Sequence, residues 1–291
     1  MQVEDHHILV GDSLIFYTIA GDSTCQPLVF LHGAPWGMKC RDVTAELAKY
    51  FYVIALEQPG FGRSDPLARY TNLPEQYADV VHQILEKERL GEAKSIIMAQ
   101  SFGGHAAHGY LKKYPDAIRA LVLVDAIMPT IPIPRTLRIF FVQIVLVQIA
   151  GLLLPILPRR LTLRIVGTLW KHYEIVWDAM EKYPRRMYLL ASARVRQAVQ
   201  SFITGRSFME VDYSRRPVLM LWGERDGEEH TIAEGGGVTH IRVARLLYEK
   251  IKKVRSDAQF VTLKGGHTVL YDEPAYVVGE MLNALTKAKL L

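Results

Sequence analysis

The most constraining feature of the sequence lies at residues 95–104, where an apolar run leads into a serine between small residues. Ser95–Met98 has the apolar, β-branched character of a buried strand, and a helical pattern follows directly after Ser101. A strand that turns sharply into a helix strains the residue at the turn and requires small neighbours two positions away. Ala99 and Gly103 meet that requirement in the pattern A-x-S-x-G. The sequence therefore predicts a serine hydroxyl exposed at the end of a strand.

The rest of the chain alternates short β-branched runs with longer helical patterns. This alternation predicts an α/β fold with a mostly parallel sheet of eight strands flanked by crossover helices. The predicted strands are Ile8–Val10, Leu14–Ile19, Leu28–Leu31, Tyr52–Leu56, Ser95–Met98, Leu121–Val124, Val218–Leu221 and Phe260–Leu263. The predicted helices are Arg41–Tyr50, Pro74–Arg89, Phe102–Tyr114, Ile241–Val254 and Pro274–Lys289.

One segment, residues 127–214, has helical periodicity and almost no strand signal. It is too long for a simple connection between strands. We therefore predict a helical cap at 127–214, inserted into a core domain formed by residues 1–126 and 215–291.

The predicted cap is basic and contains an apolar stretch. It carries 12 Lys and Arg against 5 Asp and Glu, and residues 139–157 have no charge. A membrane span is disfavoured, because the strands on either side should belong to one sheet. Three interpretations remain: an ordinary hydrophobic cap core, a lining of the substrate pocket, or peripheral contact with a lipid surface whose anionic head groups face the arginines.

The distribution of charge and the N-terminal sequence argue against a nucleic-acid-binding protein and against a secreted protein. Because the +5 net charge is concentrated in the predicted cap, a general nucleic-acid-binding surface is not expected. The N-terminus shows no basic run followed by an apolar core, so we expect no secretory signal and a cytoplasmic protein. Cys25 and Cys40 are interpreted as two thiols, with a bridge between them as the alternative.

A serine hydroxyl becomes a good nucleophile only when a base takes its proton. Of the ten histidines, His267 has the most suitable setting, because it follows the last predicted strand and the pair Gly265-Gly266. This position puts it at the carboxyl edge of the sheet, the same edge as Ser101. The sequence predicts that His267 is the base.

A third residue should be an acid that fixes the tautomer of the histidine. Asp226 follows the predicted strand Val218–Leu221 and gives the chain order Ser, Asp, His that this architecture uses. Asp125, directly after Leu121–Val124, is the alternative acid, and Glu224 is a more distant one.

Acyl transfer also requires hydrogen-bond donors for the oxyanion. We predict the backbone N–H of Phe102, the residue after the nucleophile, and the backbone N–H of Ala34, in the loop after Leu28–Leu31. His32, in the same loop, is interpreted as a structural residue.

These features together resemble the α/β-hydrolase superfamily, specifically its capped esterase and lipase-like members. The motifs that carry the resemblance are His32-Gly33, PGFGRS at 59–64, AQSFG at 99–103, WGERD at 222–226 and GGH at 265–267. The resemblance covers the chain except for the predicted cap. It implies catalytic roles for Ser101, Asp226 and His267, an oxyanion hole at Ala34 and Phe102, and no cofactor or metal.

A serine as the predicted nucleophile reduces the number of reactions that the chain can be expected to catalyse. Related epoxide hydrolases and haloalkane dehalogenases use an aspartate there, so Ser101 argues against both activities. Our first hypothesis is hydrolysis of small carboxylic esters with hydrophobic acyl or alcohol groups, through an acyl-enzyme at Ser101. The second is carbon–carbon bond hydrolysis or acyl transfer by the same residues, and the third is a non-catalytic protein that binds a hydrophobic ligand.

Glu228, Glu229 and His230 are interpreted as a solvated acidic loop rather than a metal site.

Overall fold

A computed structural model describes residues 3–33, 40–127, 158, 210–226 and 241–291. The predicted cap lies almost wholly outside these residues, as does its uncharged stretch 139–157, so both stay predictions. Among the helices of the described residues, none has the length and apolar character needed to cross a membrane. Cys25 and Cys40, which are both described, are not joined by a disulfide.

The eight predicted strands all form, and they make one sheet in the order β1-β2-β4-β3-β5-β6-β7-β8. Pairs β1–β2 and β2–β4 are antiparallel, whereas all other neighbouring pairs are parallel. The strands are β1 Val3–Val10, β2 Ser13–Ala20, β3 Pro27–Leu31, β4 Tyr52–Leu56, β5 Ser95–Gln100, β6 Ile118–Val124, β7 Val218–Gly223 and β8 Gln259–Leu263.

Strand β1 begins at Val3, earlier than the predicted Ile8. Residues 4–7 are polar, so the apolar pattern predicted only the second half of this strand. The structure pairs β1 with β2 along its whole length, from Val3 opposite Ala20 to Val10 opposite Ser13. An edge strand can carry such polar side chains because one of its sides faces solvent.

Six α-helices of the described residues connect and flank the strands. They are α1 Cys40–Leu47, α2 Leu73–Lys87, α3 Gly104–Lys113, α4 Ile241–Val254, α5 Val269–Asp272 and α6 Pro274–Lys287. The bounds of α4 agree with the prediction. The predicted helix Phe102–Tyr114 instead begins with a 3₁₀ turn, Ser101–Gly103, because the chain bends there.

The core has two layers, one on each face of the sheet, and β5 contributes to both. Ile97 and Ala99 pack into the layer under α2, α3 and α4. Ile96 and Met98 point the other way, into the layer under α1, α5 and α6. Alternate residues of a strand point to opposite faces, so a strand covered on both sides is apolar throughout. This double burial fixes β5 at the centre of the fold.

Helices α2 and α3 touch at a glycine. A Cβ atom on Gly109, in α3, would lie 2.0 Å from the backbone oxygen of Pro74, at the start of α2. Gly279, in α6, is the contrasting case, because a Cβ there would meet no atom within 4 Å in the described part of the chain.

We therefore expect opposite effects from the same substitution in two helices. Gly109→Ala should lower the free energy of unfolding by about 1–3 kcal/mol, because the new methyl group overlaps a backbone oxygen. Gly279→Ala should raise it by about 0.5–1 kcal/mol, since alanine favours a helix and meets open space. Urea denaturation of both variants measures this difference. Shifts of the same sign would contradict the described contact of α2 with α3.

Candidate active site

Ser101 lies at the bend between β5 and α3. Its φ of 46° is in the left-handed region, which a residue with a side chain rarely adopts. The bend is tight, because a Cβ atom on Gly103 would lie 2.1 Å from the backbone oxygen of Leu31. The backbone N–H of Ile127 donates to the oxygen of Ser101 at 2.7 Å. The bend therefore depends on glycine at 103 and on the chain that leaves β6.

His267 reaches Ser101 from the loop after β8. The His267 Nε2 to Ser101 Oγ distance is 2.9 Å, and both residues are buried, with 7% and 9% of their surface exposed. Gly265 has a φ of 152°, which lets the chain leave β8 in a conformation that glycine accommodates. The geometry suits transfer of the serine proton to Nε2.

Asp226 lies on the opposite side of the imidazole, in the turn after β7. Its Oδ1 is 3.2 Å from His267 Nδ1, and its Oδ2 accepts the indole N–H of Trp222 at 3.1 Å. The aspartate is fully buried. With Nδ1–H donating to Asp226, the lone pair of Nε2 faces the serine hydroxyl. The structure thus brings Ser101, His267 and Asp226 into one hydrogen-bonded line, which we call the Ser–His–Asp array.

Asp125, the alternative acid, follows β6 and is also fully buried. Its Oδ1 accepts the backbone N–H of Gly223 at 2.8 Å. Burial raises the pKa of Asp125 well above its ordinary value, and the charge of Asp226 raises it further. Of the two aspartates, Asp226 is the one that pairs with His267 Nδ1. Glu224, the more distant candidate, is exposed.

His32 shapes the loop after β3. Its Nε2 accepts the backbone N–H of Gln58 at 3.0 Å, so Nδ1 carries the proton and donates to the oxygen of Gly33 at 2.7 Å. Burial lowers the pKa of His32, which keeps the ring neutral. Ala34 lies outside the described residues, and Phe102 directly follows Ser101. The backbone N–H groups of Ala34 and Phe102 therefore stay predicted hydrogen-bond donors to the oxyanion.

Two residues that the sequence analysis missed tie the site together. The hydroxyl of Tyr271, in α5, accepts the backbone N–H of Gly33 at 3.1 Å and donates to Gln100 Oε1 at 3.3 Å. Gln100 Nε2 in turn donates to the backbone oxygen of His267 at 3.1 Å. A polar residue closing the apolar strand β5 was the signal available for Gln100. This bridge connects the loop after β3, the bend at Ser101 and the histidine loop.

One group of described residues has the donor atoms to hold a metal ion. Asp125, Asp226 and His267 each offer one such atom, and these atoms lie within 4.8 Å of one another. His267 and Asp226 already face each other in the Ser–His–Asp array. The sequence-based expectation of no metal stays a prediction, and the cluster Glu228, Glu229 and His230 lies outside the described residues.

Comparison with known proteins identifies the family. The model of the alpha/beta hydrolase family matches residues 28–280, so the chain belongs to this family. A putative lipase from Acinetobacter baumannii has a similar fold, with a TM-score of 0.66 and 19% identity over 99% of this chain and 92% of that one.

Curated relatives match a shorter stretch. An abhydrolase domain-containing protein of Caenorhabditis elegans is 33% identical over 108 residues, which are 34% of this chain and 23% of that protein. A 2-hydroxy-6-oxononadienedioate/2-hydroxy-6-oxononatrienedioate hydrolase of Paraburkholderia phymatum is 31% identical over 104 residues, 34% of this chain and 35% of that enzyme. The matches therefore span about a quarter to a third of these relatives.

The bridge through Tyr271 generates a prediction. We expect Tyr271→Phe to slow phosphonylation of Ser101 by a fluorophosphonate about tenfold, because the loop after β3 and the histidine loop lose their shared hydroxyl. Tyr276→Phe is the matched control, since its hydroxyl also accepts one backbone N–H, that of Lys264 at 3.0 Å. Equal labelling rates for the two variants would refute a positioning role for Tyr271.

Proposed function

We propose that this member of the alpha/beta hydrolase family hydrolyses carboxylic esters with hydrophobic acyl or alcohol groups, through an acyl-enzyme at Ser101. The observation that carries the proposal is the 2.9 Å contact between His267 Nε2 and Ser101 Oγ, with Asp226 on the far side of the ring. A serine in this setting has its base within reach, and the base has a fixed tautomer.

In the first half of the reaction, Ser101 Oγ attacks the ester carbonyl and His267 Nε2 takes the hydroxyl proton. The carbonyl oxygen becomes an oxyanion, which the backbone N–H groups of Phe102 and Ala34 are proposed to stabilise. When the tetrahedral intermediate collapses, the C–O bond to the alcohol breaks and His267 gives its proton to the leaving oxygen. The Asp226 carboxylate stabilises the imidazolium between these two steps.

In the second half, water replaces the alcohol. His267 takes a proton from water as the water oxygen attacks the acyl carbon, and the same oxyanion donors act again. Collapse of the second intermediate breaks the bond to Ser101 Oγ, which recovers its proton from His267. The products are a carboxylic acid and the free enzyme, and no other reactant is needed.

The predicted cap at 127–214 supports the hydrophobic preference, because its stretch 139–157 carries no charge. The cap is also where we propose contact with a lipid surface. Each buried methylene contributes about 0.8 kcal/mol, or roughly fourfold in affinity.

Carbon–carbon bond hydrolysis is the second candidate. The similarity to the hydrolase of Paraburkholderia phymatum favours it, because that relative is a hydrolase of a 2-hydroxy-6-oxo dienedioate. The Ser–His–Asp array would suit both reactions, so the nucleophile does not separate them. Acyl transfer requires only that an alcohol replace water in the second half of the reaction.

The central test is removal of the nucleophile. We expect Ser101→Ala to lower kcat/KM for p-nitrophenyl esters at least about a thousandfold and to abolish fluorophosphonate labelling, because the attacking oxygen is lost. Ser95→Ala is a matched control, since Ser95 is a buried serine at the opposite end of the same strand. Turnover by Ser101→Ala at the wild-type rate would rule out the proposed mechanism.

Substrate profiling separates the candidate reactions. We expect kcat/KM to rise about fourfold per methylene over short acyl chains, as apolar burial predicts. A competing alcohol should leave free acid as the main product, whereas a transferase would release the new ester. Faster cleavage of a 2-hydroxy-6-oxo dienoate than of any ester would favour carbon–carbon bond hydrolysis instead.

A further inference from the structure

We propose that Asp125 is a positioning residue, which keeps its carboxyl group protonated and donates a hydrogen bond to the Asp226 carboxylate behind the Ser–His–Asp array. The proposal rests on the proposed function, because it assigns to Asp125 a role in holding the acid that orients His267. Asp125 follows β6 and Asp226 follows β7, the neighbouring parallel strand. One side-chain atom each of Asp125, Asp226 and His267 lies within 4.8 Å of the other two.

The unequal surroundings of the two carboxyl groups decide which one holds a proton. Among the described residues, the N–H donors that face Asp226 include His267 Nδ1 at 3.2 Å and Trp222 Nε1 at 3.1 Å. Asp125 receives one N–H, from Gly223 at 2.8 Å, and its buried Oδ2 has no hydrogen-bond partner among the described residues. Donors stabilise the charged form of a carboxylate, so the negative charge belongs on Asp226.

A proton on Asp125 Oδ2 satisfies both groups. As a carboxylate, Oδ2 would be a buried acceptor with no donor beside a second negative charge, which is a costly arrangement. As a carboxylic acid it becomes a donor, and the acceptor we propose is the Asp226 carboxylate, one oxygen of which lies within 4.8 Å of an Asp125 oxygen. Burial and the charge of Asp226 both raise the pKa of Asp125 well above its ordinary value, consistent with this assignment.

The backbone holds Asp125 in this place. Its φ is 42°, in the left-handed region, and its N–H donates to the oxygen of Leu221 at 3.1 Å. Through Gly223, its Oδ1 also fixes the end of β7, just before the turn that carries Asp226. Asp125 therefore restrains both the carboxylate and the backbone of the turn, and through them the imidazole of His267.

Infrared spectroscopy tests the proton directly. Asp226 and His267 each have a titratable side-chain atom within 4.8 Å of one of Asp125. We expect the wild-type protein at neutral pH to show the carbonyl stretch of an un-ionised buried carboxylic acid, and Asp125→Asn to lack it. An unchanged carboxylic-acid region in Asp125→Asn would overturn the proposal, because Asp125 would then be ionised in the wild type.

The pH profile of kcat/KM gives a second measurement. The position of its acid limb depends on the charge of Asp125 and would not change if the residue had a purely structural role. If Asp125 is neutral, Asp125→Asn removes no charge, and the limb should stay within about 0.3 pH of its wild-type position. Removing a negative charge within 4.8 Å of the imidazole would instead displace the limb by about one pH unit or more. A displacement of that size would overturn the proposal.

A pair of substitutions separates the side chain from the strained backbone. Asparagine can donate from Nδ2 to Asp226 and accept from Gly223, whereas glycine suits a φ of 42° but removes the carboxyl group. We expect kcat for Asp125→Asn to exceed that for Asp125→Gly at least tenfold, with similar KM values. Equal kcat values would show that the position serves only the backbone and would overturn the proposal.

The failure of this proposal can be told apart from failure of the proposed function. Fluorophosphonate labelling reports whether Ser101 is a reactive nucleophile, whatever the protonation of Asp125. The infrared band reports the protonation of Asp125, whatever the substrate. A labelled Ser101 without the band would overturn only the role of Asp125.

Discussion

The bend at Ser101 is held against its own backbone preference, and the rest of the site depends on it. A non-glycine residue at a φ of 46° carries strain of about 1–3 kcal/mol, which only the surrounding structure can maintain. Among the described residues, three features maintain it: the burial of β5 on both faces, the close approach of Gly103 to Leu31, and the hydrogen bond from Ile127 to the oxygen of Ser101. Without the bend, the hydroxyl would not meet His267.

The parallel arrangement of the strands explains why residues far apart in the sequence meet at one edge of the sheet. The carboxyl ends of β3, β5, β6, β7 and β8 lie at one edge of the sheet, and each is followed by a residue of the site. Gln100 and Tyr271 then lock three of these loops to one another through side-chain hydrogen bonds. Because these polar groups are already paired, little reorganisation is needed when charge develops during the proposed reaction.

The sequence was sufficient for the strands and for the residues that now meet as Ser101, His267 and Asp226, because apolar periodicity and chain order are local signals. The sequence was insufficient for side-chain hydrogen bonds whose two partners are brought together only by the tertiary structure. The contacts of Trp222 with Asp226 and of Tyr271 with Gly33 join residues whose types have no single expected partner. Likewise Asp125 and Asp226 looked like competitors in the sequence, whereas the structure makes them neighbours with unequal donors. The edge strand β1 was underestimated because its exposed side carries polar residues.

The Nδ1 proton of His267 is the most direct probe of the Ser–His–Asp array. In ¹H NMR spectra of protein with ¹⁵N-labelled histidine, an Nδ1–H that donates to a buried carboxylate should give a strongly deshielded resonance. His32 and His108, whose Nδ1 atoms lie 2.7 and 2.6 Å from backbone oxygens, provide internal comparison. We expect the most deshielded Nδ1–H resonance in the spectrum to disappear in His267→Gln and to shift when a phosphonate is attached to Ser101. If that resonance remains in His267→Gln, or does not shift when the phosphonate is attached, His267 does not donate to Asp226 beside Ser101.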